Sequence, residues 1–436
     1  MNVQLIGHAT VLIKENDFSF ICDPWLKGDY VNNCTVWQFP PREFGIETIS
    51  KFKYIYISHD HEDHCNAETL KFIDKNTPIF ILKFNENKNL IKRLTSMKFT
   101  NVTEIEGWKK YKIDDNTFIT IFPSDLGYVD SSALIQYKNL NVYHGNDNVL
   151  FPETVKKISK LSKIDIAFMP YAGFSGFPSC YEFSDEIKNK LAEKKKNEKL
   201  KSFYDCVEAL NPNKVVPAAG DLIIVGENKA WANYFDRTSP IEAIEKAPKA
   251  IKDKMLDMRP GDIYSDGGLI KYKSKNNWEY NSESQEKFYS QDHVKNEVKK
   301  YDKWIQDLNI SQENFSNLVL NFLKKGLENK VSKLIKDYKF LLISKNNNLN
   351  TSLLVNFDKN KIDKIEDQNF TNYSKKIIVD PLILCRIIRH EILWGDAYCG
   401  LSLVVDRKPY DNYNLNFWKW LYGLDALDID YQKYFD

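Results

Sequence analysis

Four potential metal ligands follow one buried strand, and this arrangement constrains the fold more than any other feature of the sequence. Residues 53–58 predict the strand, and directly after it come His59, His61, Asp63 and His64. Because side chains alternate along a strand end, His59 and His61 project to the same side. The turn into the next helix returns Asp63 and His64 to the same point. We therefore predict a sheet whose strand ends carry a metal site.

The residue types in this motif indicate a divalent transition metal. Imidazoles and carboxylates suit zinc and iron, and three of the seven histidines of the chain lie within residues 59–64. Metal ions held in this way can bind a substrate and activate water or oxygen. We expect one or two divalent ions, iron or zinc with manganese possible, and a catalytic role for Asp63.

Segments on both sides of the motif carry a family resemblance. Gly7-His8 and Asp23-Pro24-Trp25, taken with the motif, resemble the metallo-β-lactamase superfamily. Within it they resemble the branch that contains L-ascorbate-6-phosphate lactonase and CMP-N-acetylneuraminate hydroxylase. The resemblance to the hydroxylase continues through Ser175-Gly176-Phe177-Pro178 and Leu393-Trp394, over about residues 3–420. It implies an α/β fold, an αββα sandwich followed by a C-terminal α+β domain, which the many short strands with intervening helices also favour.

The resemblance implies further ligands, and two segments offer candidates. A carboxylate commonly bridges both metals, and Asp147 is the preferred candidate, with His144 as the competing ligand. The histidine usual in the preceding loop is missing, and Asp125, with Asp130 nearby, lies in its place. The usual late histidine is also missing, because residues 217–221, ending in Asp221, occupy that place. A ligand set rich in oxygen favours iron or manganese.

The residues that flank the motif predict a substrate site. His8 and Asp23 are expected to orient the ligands or touch the substrate, and His8 is the second catalytic candidate. The loops 25–45 and 171–182 carry Trp25, Arg42 and Phe177, the candidate substrate contacts. Aromatic rings with a few fixed cations suit a sugar or nucleotide ring with an anionic group. Simple packing of loop aromatics is the alternative.

Composition along the chain predicts three parts. Residues 1–271 form the metal-binding catalytic domain, 272–299 are a polar linker, and 300–436 form an α+β domain. A helix is expected at about 313–328. The last part weakly resembles a sterol-carrier-protein-like domain. We expect it to pack against the metal domain with Trp394 buried near its centre.

Two functions remain open on this evidence. The first is a non-haem iron oxygenase or hydroxylase acting on a sugar nucleotide or similar small anionic substrate. The alternative is a zinc-type hydrolase of an ester, lactone or amide. The Cys-x-His…Cys-x-x-His pattern of the hydroxylase's iron–sulfur domain does not occur in this sequence, so the first function would require an external electron donor.

Composition also bears on partners and location. The 61 basic and 60 acidic residues nearly cancel, which argues against a nucleic-acid partner. No stretch approaches the roughly 18 apolar residues that a membrane span requires, and no signal peptide is evident at the start. The seven cysteines are scattered and never spaced as CxxC, so we expect them to be reduced and the protein to be cytoplasmic.

Overall fold

The computed structural model describes residues 1–31, 34–44, 51–84, 88–127, 129–227, 229–266, 268–367 and 370–435. Residues 32–33 and 45 of the predicted 25–45 loop lie outside the described residues. The strands of the N-terminal unit are β1 (Asn2–Gly7), β2 (Thr10–Glu15), β3 (Phe18–Cys22), β4 (Tyr30–Val31), β5 (Val36–Gln38), β6 (Tyr54–Tyr56), β7 (Ile79–Leu82), β8 (Val102–Ile105), β9 (Lys110–Lys112), β10 (Thr117–Pro123), β11 (Ser131–Tyr137), β12 (Leu140–His144), β13 (Ile166–Pro170), β14 (Lys214–Ala218), β15 (Leu222–Ile224), β16 (Ile263–Ser265) and β17 (Gly268–Ile270).

Two sheets of this unit face each other. Their strand orders are β17-β16-β1-β2-β3-β6-β7-β8 and β14-β13-β12-β11-β10-β9. Val11 and Phe20 of the first sheet share a buried core with Ile119, Ile135 and other residues of the second. Strands such as β6 and β7 are buried at every residue, because the opposite sheet covers one face and helices cover the other.

Helices cover both outer faces and complete the predicted αββα sandwich. Leu70 and Leu94 pack against the first sheet, and Val155 and Phe203 pack against the second. The helices of this unit are α1 (Ala67–Leu70), α2 (Asn89–Ser96), α3 (Pro152–Ser159), α4 (Asp185–Leu210), α5 (Pro240–Glu245) and α6 (Lys249–Lys252).

The segment predicted as a polar linker, 272–299, differs from that expectation. It contains helix α7 (Ser282–Tyr289) and the start of helix α8 (Asp292–Gln306). Phe288 and Val294 are buried against Trp37 and Phe39, beside the small sheet β15-β5-β4. A few apolar side chains are therefore enough to dock this polar segment onto the first unit, while its charged residues face solvent.

The C-terminal unit is an α+β layer, as predicted. Its sheet has the order β20-β19-β18-β21-β22, with β18 and β21 parallel. Helices on this sheet share one large core with it, and Trp394 and Trp420 are buried there. The elements are α9 (Gln312–Glu328), β18 (Lys339–Lys345), β19 (Asn350–Asn356), β20 (Lys361–Lys364), β21 (Lys375–Val379), α10 (Pro381–Ile388), α11 (Trp394–Cys399), β22 (Leu403–Arg407) and α12 (Leu415–Gly423).

The C-terminal unit packs against the metal domain. The backbone NH of Glu182 donates to the carbonyl of Val405, and the NH of Val405 donates to the carbonyl of Cys180, both at 2.8 Å. The loop after β13 is thereby attached to β22 at the edge of the second unit's sheet. Nζ of Lys229 adds a hydrogen bond of 2.8 Å to the carbonyl of Gly400. The two units are therefore joined by backbone and side-chain contacts.

None of the helices in the described ranges has both the length and the apolar character needed to cross a membrane.

Candidate metal centre

The candidate centre lies where strands of both sheets end at one edge of the sandwich. In the first sheet β3 and β6 run parallel, so Asp23 after β3 and His59 after β6 emerge side by side. In the second sheet β12, β13 and β14 run parallel, and Asp147 follows β12 at the same edge. The β1–β2 hairpin adds His8. The fold thus brings together side chains that lie far apart in the sequence.

The residues of the motif converge as predicted. Nε2 of His59 lies 2.9 Å from Nδ1 of His61. Nε2 of His64 lies 3.5 Å from Oδ2 of Asp63 and 3.4 Å from Oδ2 of Asp147. The ligand atoms of His59, His64 and Asp147 all lie within 4.8 Å of one another, a spacing that one ion can span.

His8 is closer to this centre than the sequence implied. Its Nε2 lies 3.3 Å from Oδ2 of Asp63, and His8, Asp63 and His64 form a second group of ligand atoms within 4.8 Å. The ring of His8 is buried, and neither of its nitrogens has a hydrogen-bond partner in the described part of the chain. His8 is therefore a candidate ligand as well as a residue that flanks the site.

Asp23 holds the ligand loop in place, as its predicted role requires. Its carboxylate accepts hydrogen bonds from the backbone NH of Ser58 at 2.8 Å and from Oγ of Ser58 at 2.7 Å. Oδ2 of Asp23 also lies 2.9 Å from Nδ1 of His64, which fixes that ring with Nε2 directed at the other ligands. Such outer carboxylates orient metal-binding histidines in many proteins.

Several residues around the centre have left-handed backbone conformations. The φ angles are 45° at His8, 44° at Asp23, 41° at Asn146 and 58° at Ala219. These conformations cost a non-glycine residue about 1–3 kcal/mol and are concentrated at functional sites. The strain supports the view that this edge of the sandwich is built for function.

Charges at the centre strongly affect one another. Burial alone would lower the pKa of His64, but the carboxylates of Asp63, Asp147 and Asp23 outweigh it and raise the pKa. Burial favours a raised pKa for Asp63, yet His64 and His8 hold that pKa well below its usual range. Burial and the nearby Asp147 raise the pKa of Asp130 to about 6. Carboxylates and imidazoles are therefore crowded into one buried place.

The residues present fit a metal ion. Nε2 of His64 and both ring nitrogens of His8 are buried without hydrogen-bond partners among the described residues. Buried polar atoms are costly to leave unpaired, and imidazole nitrogens beside carboxylates are a common donor set for zinc and iron. A cation between these groups would satisfy the nitrogens and reduce the repulsion among the carboxylates.

The prediction of Asp125 as a ligand is wrong. Its Oδ2 accepts from the backbone NH of Phe151 at 2.7 Å, and its Oδ1 accepts from Oγ1 of Thr154 at 3.0 Å. Both oxygens therefore cap the start of α3. Asp130 approaches the centre instead, with Oδ1 at 3.1 Å from Nδ1 of His59. The turn that precedes β11 directs Asp130 inward, and its position next to that strand was the available sequence signal.

His144 does not join the ligand groups. Its Nε2 bonds the carbonyl of Ala9 at 2.7 Å, which leaves Asp147 as the acidic candidate of that segment. The late histidine that is usual in the family is missing here, and Asp221 lies in the segment that takes its place. Asp221 is buried and accepts a hydrogen bond from the Tyr280 hydroxyl at 3.0 Å. Burial raises the pKa of Asp221 to about 7.

A cavity of about 230 Å³ opens beside the centre. Its lining includes His8, Asp63, Asp130 and Asp147 on the side of the candidate centre. Residues of α4 and of the loop after β13 form the rest of the lining, which we call the wall. Typical ligand pockets measure about 300–1,000 Å³. The cavity therefore accepts a small molecule or the reacting end of a larger one.

The three predicted substrate contacts do not line this cavity. Trp25 is fully buried, bonded through its indole NH to the carbonyl of Gly28, and edge-on to His8. Arg42 has a side chain 7% exposed, with Nη2 3.9 Å from Asp29. The ring of Phe177 packs against Tyr181 and Arg407 at the junction of the two units.

The wall contains Phe174 of the predicted substrate loop 171–182, but sequence reasoning missed the residues that α4 contributes. Phe174 and Lys199 line the cavity, together with Ser202 of α4. Lys199 and Ser202 lie three residues apart on a helix, so they share one face. That spacing was the only available signal, and it is common on solvent-facing helices.

Comparison with known proteins defines the class of this chain. The model of the beta-lactamase superfamily domain matches residues 2–219, half of the chain. The chain therefore belongs to the beta-lactamase superfamily. It is a metalloenzyme of the metallo-β-lactamase fold.

The individual proteins that match this chain have low sequence identity to it. The chain is 24% identical to the cytidine monophosphate-N-acetylneuraminic acid hydroxylase of Xenopus laevis, over 96% of this chain and 71% of that protein. It is also 24% identical to a putative Rieske 2Fe-2S iron-sulfur protein of Mycobacterium tuberculosis, over 50% of this chain and 44% of that protein. Among solved structures, a metallo hydrolase of Ignicoccus hospitalis matches with 19% identity and a TM-score of 0.41, over 62% of this chain and 99% of the other.

Replacing Asp147 with asparagine should lower the metal content of the purified protein while leaving the fold intact. Asparagine keeps the size of the side chain but removes the charge that pairs with His64. Loss of a ligand or of its close support costs roughly 10–100-fold in metal affinity. Elemental analysis and circular dichroism measure the two outcomes.

The matched control is Asp125→Asn, which changes a carboxylate on a nearby loop that caps α3. It should keep the wild-type metal content. Equal metal content in both variants would exclude Asp147 from the ligand set.

Proposed function

We propose that the chain is a non-haem iron hydroxylase that inserts oxygen from O2 into a small anionic substrate of the sugar-nucleotide type. The ligand set fits this proposal, because the carboxylates of Asp63 and Asp147 accompany the imidazoles and that of Asp130 lies 3.1 Å from Nδ1 of His59. A mixed set of imidazoles and carboxylates suits non-haem iron as well as zinc. Similarity to a hydroxylase along nearly the whole chain supports the same function.

An ion would be held by either of the two groups that contain His64, whose Nε2 can bind one metal, and a bound ion of this kind would activate oxygen or water. The chain's own residues do the rest. Asp23 and Ser58 fix the ligand rings, and the cavity holds the substrate beside them. The proposed cytoplasmic location is supported by seven free cysteines.

Hydroxylation requires electrons as well as oxygen. The reaction consumes a C–H bond, O2, two electrons and two protons, and it yields a hydroxyl group and water. We propose that an external donor supplies the electrons. A relative named as a putative Rieske iron-sulfur protein supports a partner of that kind.

A second candidate is a zinc-type hydrolase of an ester, lactone or amide. The match to the beta-lactamase superfamily domain favours it, and the same imidazole and carboxylate ligands can activate water.

Product analysis separates the two functions. Iron-loaded protein, a chemical reductant and cytidine monophosphate-N-acetylneuraminic acid should give a product that gains one oxygen atom from isotopically labelled O2. Smaller carboxylate and phosphate sugars should be tested beside it, because the cavity of about 230 Å³ accommodates only part of a nucleotide sugar. Cleavage of an ester or lactone that proceeds without O2 would support the hydrolase and contradict the hydroxylase.

A further inference from the structure

The lining of the cavity has two chemically different parts. One part holds the candidate metal ligands and their carboxylates, described above. The other comes from α4 and the loop after β13, and it includes Gly173, Phe174, Lys199 and Ser202. A substrate in the cavity therefore meets acidic metal ligands on one side and a lysine on another.

Lys199 is placed to face this space. It carries an exposed side chain, and it forms no ion pair with any residue in the described ranges. A Cβ added at Gly173 would lie 3.0 Å from Cε of Lys199 and 3.5 Å from its Nζ. The glycine thus lets the lysine lie directly over the loop. The backbone NH groups of Gly173 and Phe174 make no backbone hydrogen bond within the described residues.

Two further cations lie beneath the same loop. Nζ of Lys195, one turn before Lys199 on α4, bonds Oγ of Ser175 at 3.1 Å and the carbonyl of Phe177 at 2.7 Å. The buried guanidinium of Arg237 lies 4.4 Å from the ring centroid of Phe174.

This group of cations has little compensating negative charge. Asp236 pairs with Lys195 at 2.8 Å. Burial lowers the pKa of Lys195; Asp236 opposes this effect, while Arg237 and Lys199 add to it. Three cations therefore accompany one paired carboxylate on this side of the cavity, and this local excess of positive charge favours an anion.

We propose that Lys199 and the backbone of Gly173 and Phe174 form an anion subsite, which binds a carboxylate or phosphate of the substrate while its reacting carbon lies at the metal centre. The inference rests on the proposed function, because it states which chemical group the substrate must carry and where that group binds. Lys195 and Arg237 support the loop and add to the positive potential; Lys199 makes the contact.

Binding of simple anions tests this subsite without any turnover. Full-length, metal-loaded protein is titrated with inorganic phosphate and, separately, with hexanoate, by isothermal titration calorimetry. Lys199→Met should weaken binding by roughly tenfold, as expected for the loss of one charge-assisted hydrogen bond. Lys199→Arg should retain most of the affinity, because it keeps the charge.

The control is Lys201→Met, on the same helix, whose lysine pairs with Asp205 and does not line the cavity. It should bind both anions as the wild type does. A loss restricted to phosphate or to hexanoate would identify the group that the subsite accepts. Equal affinities in wild type and Lys199→Met, or no binding of either anion to the wild type, would overturn the proposal. Protein that binds anions through Lys199 yet takes up no oxygen would retain the subsite and refute the hydroxylase.

Discussion

Replacing His61 and Asp63 together with alanine should abolish metal binding and lower activity by at least about a hundredfold. Both side chains belong to the cluster in which ring nitrogens and carboxylate oxygens lie 2.9–3.5 Å apart. Loss of Asp63 leaves the group of His8, Asp63 and His64 incomplete, and loss of His61 removes the imidazole that lies 2.9 Å from His59 of the other group. Elemental analysis of the purified variant gives the metal content directly.

A double variant in the same loop provides the control. Asp60→Ala with Glu62→Ala removes two carboxylates that belong to neither candidate ligand group. It should keep both the metal and the activity. Full metal occupancy in the His61 and Asp63 variant would show that the metal binds elsewhere.

Lys375→Met should stabilise the protein by about 3 kcal/mol at pH 7, the second large effect that we expect. The ammonium group of Lys375 is fully buried, and its Nζ has no hydrogen-bond partner among the described residues. It lies 4.7 Å from the ring centroid of Phe417 and 4.1 Å from that of Trp418. Cation–π contacts return only part of the cost of burying a charge. Methionine fills the same space without that cost.

The pH dependence follows from the same residue. Burial, with a contribution from Arg407, lowers the pKa of Lys375 from 10.5 to about 7. The folded protein therefore binds fewer protons than the unfolded chain between these two values, so stability should rise with pH from about 7 to 10. Lys375→Met should flatten this rise. Urea unfolding followed by tryptophan fluorescence at several pH values measures both effects.

The exposed Lys364 of β20 gives the control, because Lys364→Met should change the free energy of unfolding by less than about 0.5 kcal/mol. A Lys375→Met protein that is less stable than the wild type, with an unchanged pH slope, would show that the ammonium group is well compensated in the folded state.

The metal motif was predictable because its geometry is local. The spacing of His59, His61, Asp63 and His64 after a strand determines where those side chains point, whatever the rest of the chain does. Long helices with a regular spacing of apolar residues were also predictable, because that spacing is a local property of the sequence. The helix expected at 313–328 occurs at Gln312–Glu328.

Contacts between distant segments were not predictable. Asp125 and Asp130 both lie in the loop before β11, and only the position of α3 decides that Asp125 caps that helix. Phe177 was expected at the substrate, but its neighbours are Arg407 of the C-terminal unit and Tyr181 of its own loop. The segment 272–299 was predicted to be a linker because most of its residues are polar. Its few apolar residues are buried and pack against Trp37 and Phe39.

Oxygen uptake by metal-defined protein tests the central claim most directly. Metal-free protein is loaded under anaerobic conditions with iron or with zinc, and the metal content is verified. O2 consumption is then recorded with substrate and reductant. The proposed hydroxylase predicts substrate-dependent uptake by the iron form, about one O2 for each product molecule, and none by the zinc form. Turnover by the zinc form without oxygen uptake, with an inactive iron form, would contradict the account.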